Sequence, residues 1–192
     1  MQFRPLTLAA AAALCLAGNA HAAVVTFNNP GVIPIDPITN VATYTESGFN
    51  IQGQAADFLT LGGVLVGGFS GAMPFSLMAV SGGLFSLLSL ELAYFDLGDT
   101  PGALTIRGLR DGNQVATSMF TLGTPASISF GTNWAQLTQV SFQATSGFSL
   151  DNINVMAVAA VPEPGTLALV GLAAAGLAFT RRRTGVAMTA RA

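Results

Sequence analysis

The chain has 192 residues, 51% of them hydrophobic, with seven arginines, no lysine and nine acidic residues. Between residues 23 and 160 only Arg107 and Arg110 are basic, against eight acidic residues, for a net charge of −6 over that stretch. Nucleic-acid binding relies on clustered Lys and Arg to displace counterions from phosphates, so this composition excludes a nucleic-acid partner.

The first element is a leader. Arg4 gives a positive start, Leu6–Ala17 is an apolar run too short for a permanent span, and Asn19 breaks it. Ala20-His21-Ala22 then forms an A-x-A cleavage pattern with Ala23 following, so residues 1–22 read as a signal peptide cut by signal peptidase before Ala23. Cys15 lies inside the apolar run behind Leu14, where a lipoprotein signal would carry a small residue. Cys15 and His21 are the only Cys and the only His, and both leave with the leader. The exported form would then have no disulfide, thiol nucleophile or imidazole base. That excludes Ser-His-Asp and Cys-His catalysis and an ordinary zinc site.

Residues 23–160 are long enough to bury one core. Short runs of β-branched and aromatic residues alternate with polar ones between Gly, Pro, Asn and Asp, which predicts strands. These are Val24–Phe27, Ala42–Thr45, Phe49–Gln52, Phe58–Leu61, Leu87–Phe95, Ala103–Leu109, Gln114–Thr121, Ala126–Phe130, Gln136–Ala144 and Phe148–Val158. Leu88, Leu90, Leu92 and Tyr94 share the apolar face of their strand. Val140 and Phe142 face one way, with Thr138, while Gln139, Ser141 and Gln143 form a polar face. Asp111-Gly112 is a hairpin turn. In the last run Phe148 and Leu150 have one parity and Ile153 and Val155 the other, so a bulge is expected near Asp151-Asn152. The glycines from 62 to 83 predict loops or mobile edges. The fold class is therefore all-β, a jelly-roll-like antiparallel sandwich.

Few side chains in this domain suggest chemistry. Trp134 is the only Trp. It is either a stacking surface for a sugar or a cap on the end of the core. Asp151 and Asn152 offer oxygens to a structural Ca²⁺, or bond each other within a bulge. Asp96-Leu97-Gly98-Asp99 offers a cation site or a turn. Arg107 and Arg110 flank a hairpin and are expected to be solvated. Glu46 and Glu91 could in principle form a carboxylate pair for glycoside hydrolysis, and nothing in the sequence brings them together. The expectation is a protein that is not an enzyme and needs no cofactor.

The last element is the tail. Val161-Pro162-Glu163-Pro164-Gly165 should be extended and accessible, because each Pro fixes its own backbone and restricts its predecessor. Leu167–Phe179 is an unbroken apolar run closed by Arg181-Arg182-Arg183. As a helix it reaches roughly 20 Å against about 30 Å of hydrocarbon, a marginal span suited to a temporary anchor in the inner membrane. The arginines should stay in the cytoplasm with residues 184–192, leaving 23–160 on the far side.

A PEP motif, a short apolar helix and an Arg cluster, following a leader, resemble the PEP-CTERM family of sorting signals. The matching residues are Val161–Gly165, Leu167–Phe179 and Arg181–Arg183; the nine residues after Arg183 are longer than the pattern. The resemblance implies a Gram-negative source, processing at the motif by an exosortase, and association with exopolysaccharide or biofilm matrix at the cell surface or outside the cell. Residues 84–158 resemble galactose-binding-like jelly rolls in the SLLSLELAYFD strand, the LTIRGLRDGNQVATSMF hairpin and the WAQLTQVSFQATSGFSLDNINV ending. That second resemblance implies a polysaccharide as a further partner.

Overall fold

A computed structural model describes residues 21–28, 33–68 and 74–158, together with Gly171, Ala173 and Ala174. Among the described residues twelve strands form in chain order: β1 (His21–Val25), β2 (Val41–Glu46), β3 (Phe49–Gln54), β4 (Leu59–Leu61), β5 (Val64–Gly67), β6 (Phe75–Ala79), β7 (Phe85–Tyr94), β8 (Ala103–Arg110), β9 (Asn113–Thr121), β10 (Ala126–Ser129), β11 (Gln139–Ala144) and β12 (Phe148–Ala157). All pairings are antiparallel. One sheet runs β10-β7-β12-β5-β4, with β1 also on β12; the other runs β2-β3-β6-β11-β8-β9. Residues Ala20–Ala159 form one compact unit. The architecture is the expected all-β sandwich.

The period-2 pattern explains the layering. In β3, Phe49 and Ile51 turn inward while Asn50 and Gln52 turn outward, and in β11 Val140 and Phe142 are fully buried while Gln143 is exposed. Between the sheets lie Phe27, Phe85, Phe142 and Phe148, each at most 1% exposed. Asp111-Gly112 makes the expected β8–β9 turn, with φ of 50° and 80°, the left-handed pair that suits a two-residue hairpin.

Three expectations need correction. The glycine-rich stretch 62–83 holds two strands, β5 and β6. Gly62-Gly63 is the turn joining β4 to β5. Gly67 and Gly53 leave room for a ring: a Cβ on Gly67 would lie 2.4 Å from Phe75 Cζ, and one on Gly53 would lie 2.7 Å from Phe75 Cδ1. Phe75 meets Phe148 edge to face at 5.5 Å in that space. These two glycines serve packing.

Leu88 is the second correction. The β12 bulge occurs where expected: between the Asp151–Glu91 and Asn154–Ser89 pairs β12 gains a residue on β7. Between Asn154–Ser89 and Val155–Leu87 β7 takes the residue back. The second irregularity turns Leu88 outward, 38% exposed, while Leu87, Leu90 and Leu92 remain buried. The third is the start of β1. The strand begins at His21, and Ala22 and Ala23 pair with Met156 and Val155. The expected cleavage bond therefore lies inside β1. Cleavage would leave only Ala23–Val25 of the strand on the exported chain.

Candidate functional site

Trp134 sits in a short 3₁₀ turn, Thr132–Trp134, just before β11. It is 3% exposed and its ring packs on Phe130 with centroids 4.7 Å apart. The stacking surface considered for it is not presented, and it closes the end of the core. The reason is local: β10 ends beside it and delivers Phe130 against the indole.

Asp151 and Asn152 are engaged with each other at the bulge. Asn152 has a φ of 46°, its N–H donates to Asp151 Oδ1 at 2.6 Å, and its Nδ2 donates to Asp151 Oδ2 at 3.3 Å. Asn154 Nδ2 adds bonds to the Asn152 carbonyl at 3.1 Å and to Ser89 Oγ at 2.9 Å. Burial pushes the Asp151 carboxyl above its usual range, and the charges of Glu91 and Glu46 push the same way. Among the described residues no group of three His, Cys, Asp or Glu is arranged to hold a metal.

The structure brings Glu91 directly opposite Asp151 in register, and Glu46 close enough for its charge to be felt there. Glu46, however, is occupied. Its Oε2 accepts from the N–H groups of Thr26 at 2.8 Å and Phe27 at 3.0 Å and from Tyr44 O–H at 3.1 Å, while Oε1 accepts from Thr26 Oγ1 at 2.8 Å. Burial raises its pKa, but these bonds outweigh burial and hold the carboxyl below the usual glutamate value. Two successive backbone N–H groups around Phe27, whose φ is 54°, make a small anion nest that the carboxylate fills. Glu46 thus clips the end of β1 to β2. No local pattern signals this clip, because its partners on the β1 side lie 19 and 20 residues away.

The Asp96–Asp99 segment is a turn. Gly98 N–H donates to Asp96 Oδ1 at 2.8 Å, and Asp99 Oδ2 accepts from Gly147 N–H at 3.1 Å. Tyr94 O–H lies 2.9 Å from Asp99 Oδ1 and also meets the Asp99 carbonyl. Partial burial, the Asp99 bond and the charges of Asp96 and Asp99 push the Tyr94 pKa up to about 12, so it stays protonated as a donor. The arginines are bonded as well as solvated. Arg110 Nε and Nη2 donate to the carbonyls of Gln136 at 2.7 Å and Ala135 at 3.1 Å, fixing the loop that follows Trp134. Arg107 Nη1 donates to Gln143 Oε1 at 2.8 Å.

One arrangement was invisible in the sequence. Across the outward face of the β2–β9 sheet the register aligns Thr43, Gln52, Ser76, Ser141, Arg107 and Thr117, one residue per strand. Each strand shows only its own alternation; the row exists only once six strands are paired. Its amides are tied down, with Gln52 Nε2 donating to Thr43 Oγ1 at 3.3 Å and Gln139 Nε2 to Ser76 Oγ at 2.8 Å.

Ala20, Val161–Gly165 and Arg181–Arg183 lie outside the described residues. So does the expected membrane helix Leu167–Phe179, apart from Gly171, Ala173 and Ala174, which are helical. Among the described residues no helix is long and apolar enough to cross a membrane. Residues 160–183 match the family model described as the PEP-CTERM protein-sorting motif. The tail is a PEP-CTERM sorting motif. Its match spans the Pro-Glu-Pro stretch, the apolar run and the three arginines, the same three parts that the sequence set apart. A chain bearing a PEP-CTERM motif is an exported protein, held transiently at the membrane and processed by an exosortase. No curated protein matches the chain.

Proposed function

We propose that the protein is a non-catalytic β-sandwich of the bacterial cell surface or extracellular matrix, exported through its leader, sorted at the PEP motif and associated with exopolysaccharide. The observation that carries this reading is the PEP-CTERM motif at 160–183, immediately after an all-β domain. Two features support the non-catalytic part. The only His and Cys precede the expected cleavage bond. Of the carboxylates once paired for hydrolysis, Glu46 is held by four hydrogen bonds as a structural clip. A Gram-negative source fits an exosortase-processed tail, and the Arg cluster at its end fits a cytoplasmic C-terminus.

Intact-mass analysis of protein recovered from the cell surface or medium tests the reading. The expected mass lacks both residues 1–22 and the segment beyond the PEP motif. Recovery of only full-length protein from the cytoplasm would overturn it.

A further inference from the structure

We propose that the outward face of the β2–β9 sheet is a glycan-binding platform for an extended, hydroxyl-rich polysaccharide bearing carboxylates. This deepens the matrix reading and rests on it for the source of the ligand. The geometry is the polar row. Thr43, Gln52, Ser76, Ser141, Arg107 and Thr117 follow one another across six strands, and at the usual strand spacing they reach about 24 Å, the length of several sugar rings; Ser141 is buried at the middle of the row, Thr117 is exposed and the other four are half-buried. Thr45 and Asn50 flank the row at one end, bonded to each other at 2.7 Å. Amides and hydroxyls both donate and accept, which matches the vicinal hydroxyls of a sugar. The internal bonds of Gln52, Gln139 and Gln143 hold those amides in place before a ligand arrives.

Charge selects the ligand class. The domain has eight acidic residues and two basic ones between 23 and 160, yet no carboxylate stands in the six-strand row or next to it along those strands; the nearest, Asp36, lies beyond the β2 end of the row and is bonded within its own loop. Glu91 and Asp151 pair on the other sheet. Arg107 is the only formal charge in the row, and among the described residues only one of its N–H donors is bonded, to Gln143. A guanidinium in the midst of hydroxyls and amides suits a carboxylate carried on a sugar. The row has no aromatic ring, so recognition runs through hydrogen bonds and this charge.

The row also ends in a concavity. A shallow groove of about 400 Å³ beside β2 is lined by Pro34, Ile35, Asp36 and Thr39 together with Thr43 and Gln52 of the row. Pro34 and Ile35 offer apolar surface to the C–H face of a ring. Asp36 is turned into its own loop, where Oδ1 accepts from Ile38 N–H at 2.7 Å and Thr39 N–H at 3.0 Å.

The test uses the full-length chain in mild detergent, titrated with polygalacturonate and, separately, with uncharged dextran. Wild-type protein should bind polygalacturonate more tightly than dextran, with affinity falling as salt rises. R107Q should lose about tenfold or more toward polygalacturonate and clearly less toward dextran, because the lost charge matters only for the carboxylated polymer while the lost donors and the freed Gln143 amide affect both. Gln52→Ala with Gln139→Ala should weaken both polymers, while Asp151→Asn on the other sheet should change neither. Equal affinity of wild type and R107Q for polygalacturonate would overturn the proposal, as would no binding by the wild type. Export and trimming are read separately in cells. Wild-type protein that is trimmed and exported but binds neither polymer removes the platform and leaves the sorting reading intact.

Discussion

Glu46 shows how one side chain can be a poor candidate for catalysis and a good one for stability. Its carboxylate satisfies two backbone N–H groups and two hydroxyls where β1 hands over to the following loop. Glu46→Gln keeps the shape but loses the charge-assisted bonds. Because the group is partly exposed, the expected cost is about 1 kcal/mol in chemical denaturation. The pH dependence follows from its lowered pKa. The contribution is complete above the ordinary value of 4.5 and fades as the pH falls through the lower folded value. The wild-type stability curve should therefore drop in acid more steeply than that of Glu46→Gln; parallel curves would remove the clip. Asp151 has the opposite sign. Its pKa is raised by burial first and then by Glu91 and Glu46, so its ionised form costs stability as the pH rises above its ordinary value of 3.8. Asp151→Asn should be as stable as wild type at neutral pH or more so, with a Tm indifferent to added Ca²⁺. A Ca²⁺-dependent Tm that this variant loses would instead establish a metal site at Asp151-Asn152.

At the scale of elements, the sequence was legible where a pattern was local. The bulge in β12 could be read because apolar parity flips around a polar pair, Asp151-Asn152. The matching irregularity in β7 could not, since Leu87 and Leu88 are both leucine and either one could be turned outward. Two strands were missed for a related reason. Glycine marks turns in most sequence patterns, whereas Gly67 ends β5 beneath the Phe75 ring. Gly67→Ala separates these readings. A Cβ would meet Phe75 Cζ at 2.4 Å and Phe148 Cζ at 3.0 Å, and both rings are buried among their neighbours. Overpacking of this kind should cost about 1–3 kcal/mol, measured as a shift in the denaturation midpoint. Gly82→Ala, at a turn with nothing within 4 Å but a φ of 70°, tests backbone conformation without overpacking. If Gly67→Ala unfolds at the wild-type midpoint, the cradle under Phe75 is not tight. The polar row was illegible for the strongest reason, because it depends on a strand order that joins residues 43 and 117 in one line.

For the whole molecule, the proposed function makes the two chain ends responsible for where the sandwich acts, and their residues can be separated by mutation. Replacing Pro162, Glu163 and Pro164 with alanines removes the motif offered to the exosortase but spares Leu167–Phe179 and Arg181–Arg183. Insertion and orientation depend on the apolar run and the arginines. The alanine variant should therefore be exported and then retained at the inner membrane with its tail intact. Changing Arg181–Arg183 to Ser acts on a different step. It weakens the stop-transfer signal while keeping the motif, so part of the protein should pass through the membrane untrimmed. Fractionation with an antibody against residues 23–160, combined with intact mass, tells the two apart: full-length protein in the inner membrane for the first, full-length protein beyond it for the second. The expected leader couples to this through β1. The bond expected to be cut lies in a strand paired with β12, and a paired strand is a poor substrate for a peptidase, so cleavage should precede docking of β1. If the alanine variant reaches the surface or medium as fully as the parent, the PEP residues do not direct sorting and the tail is an anchor alone.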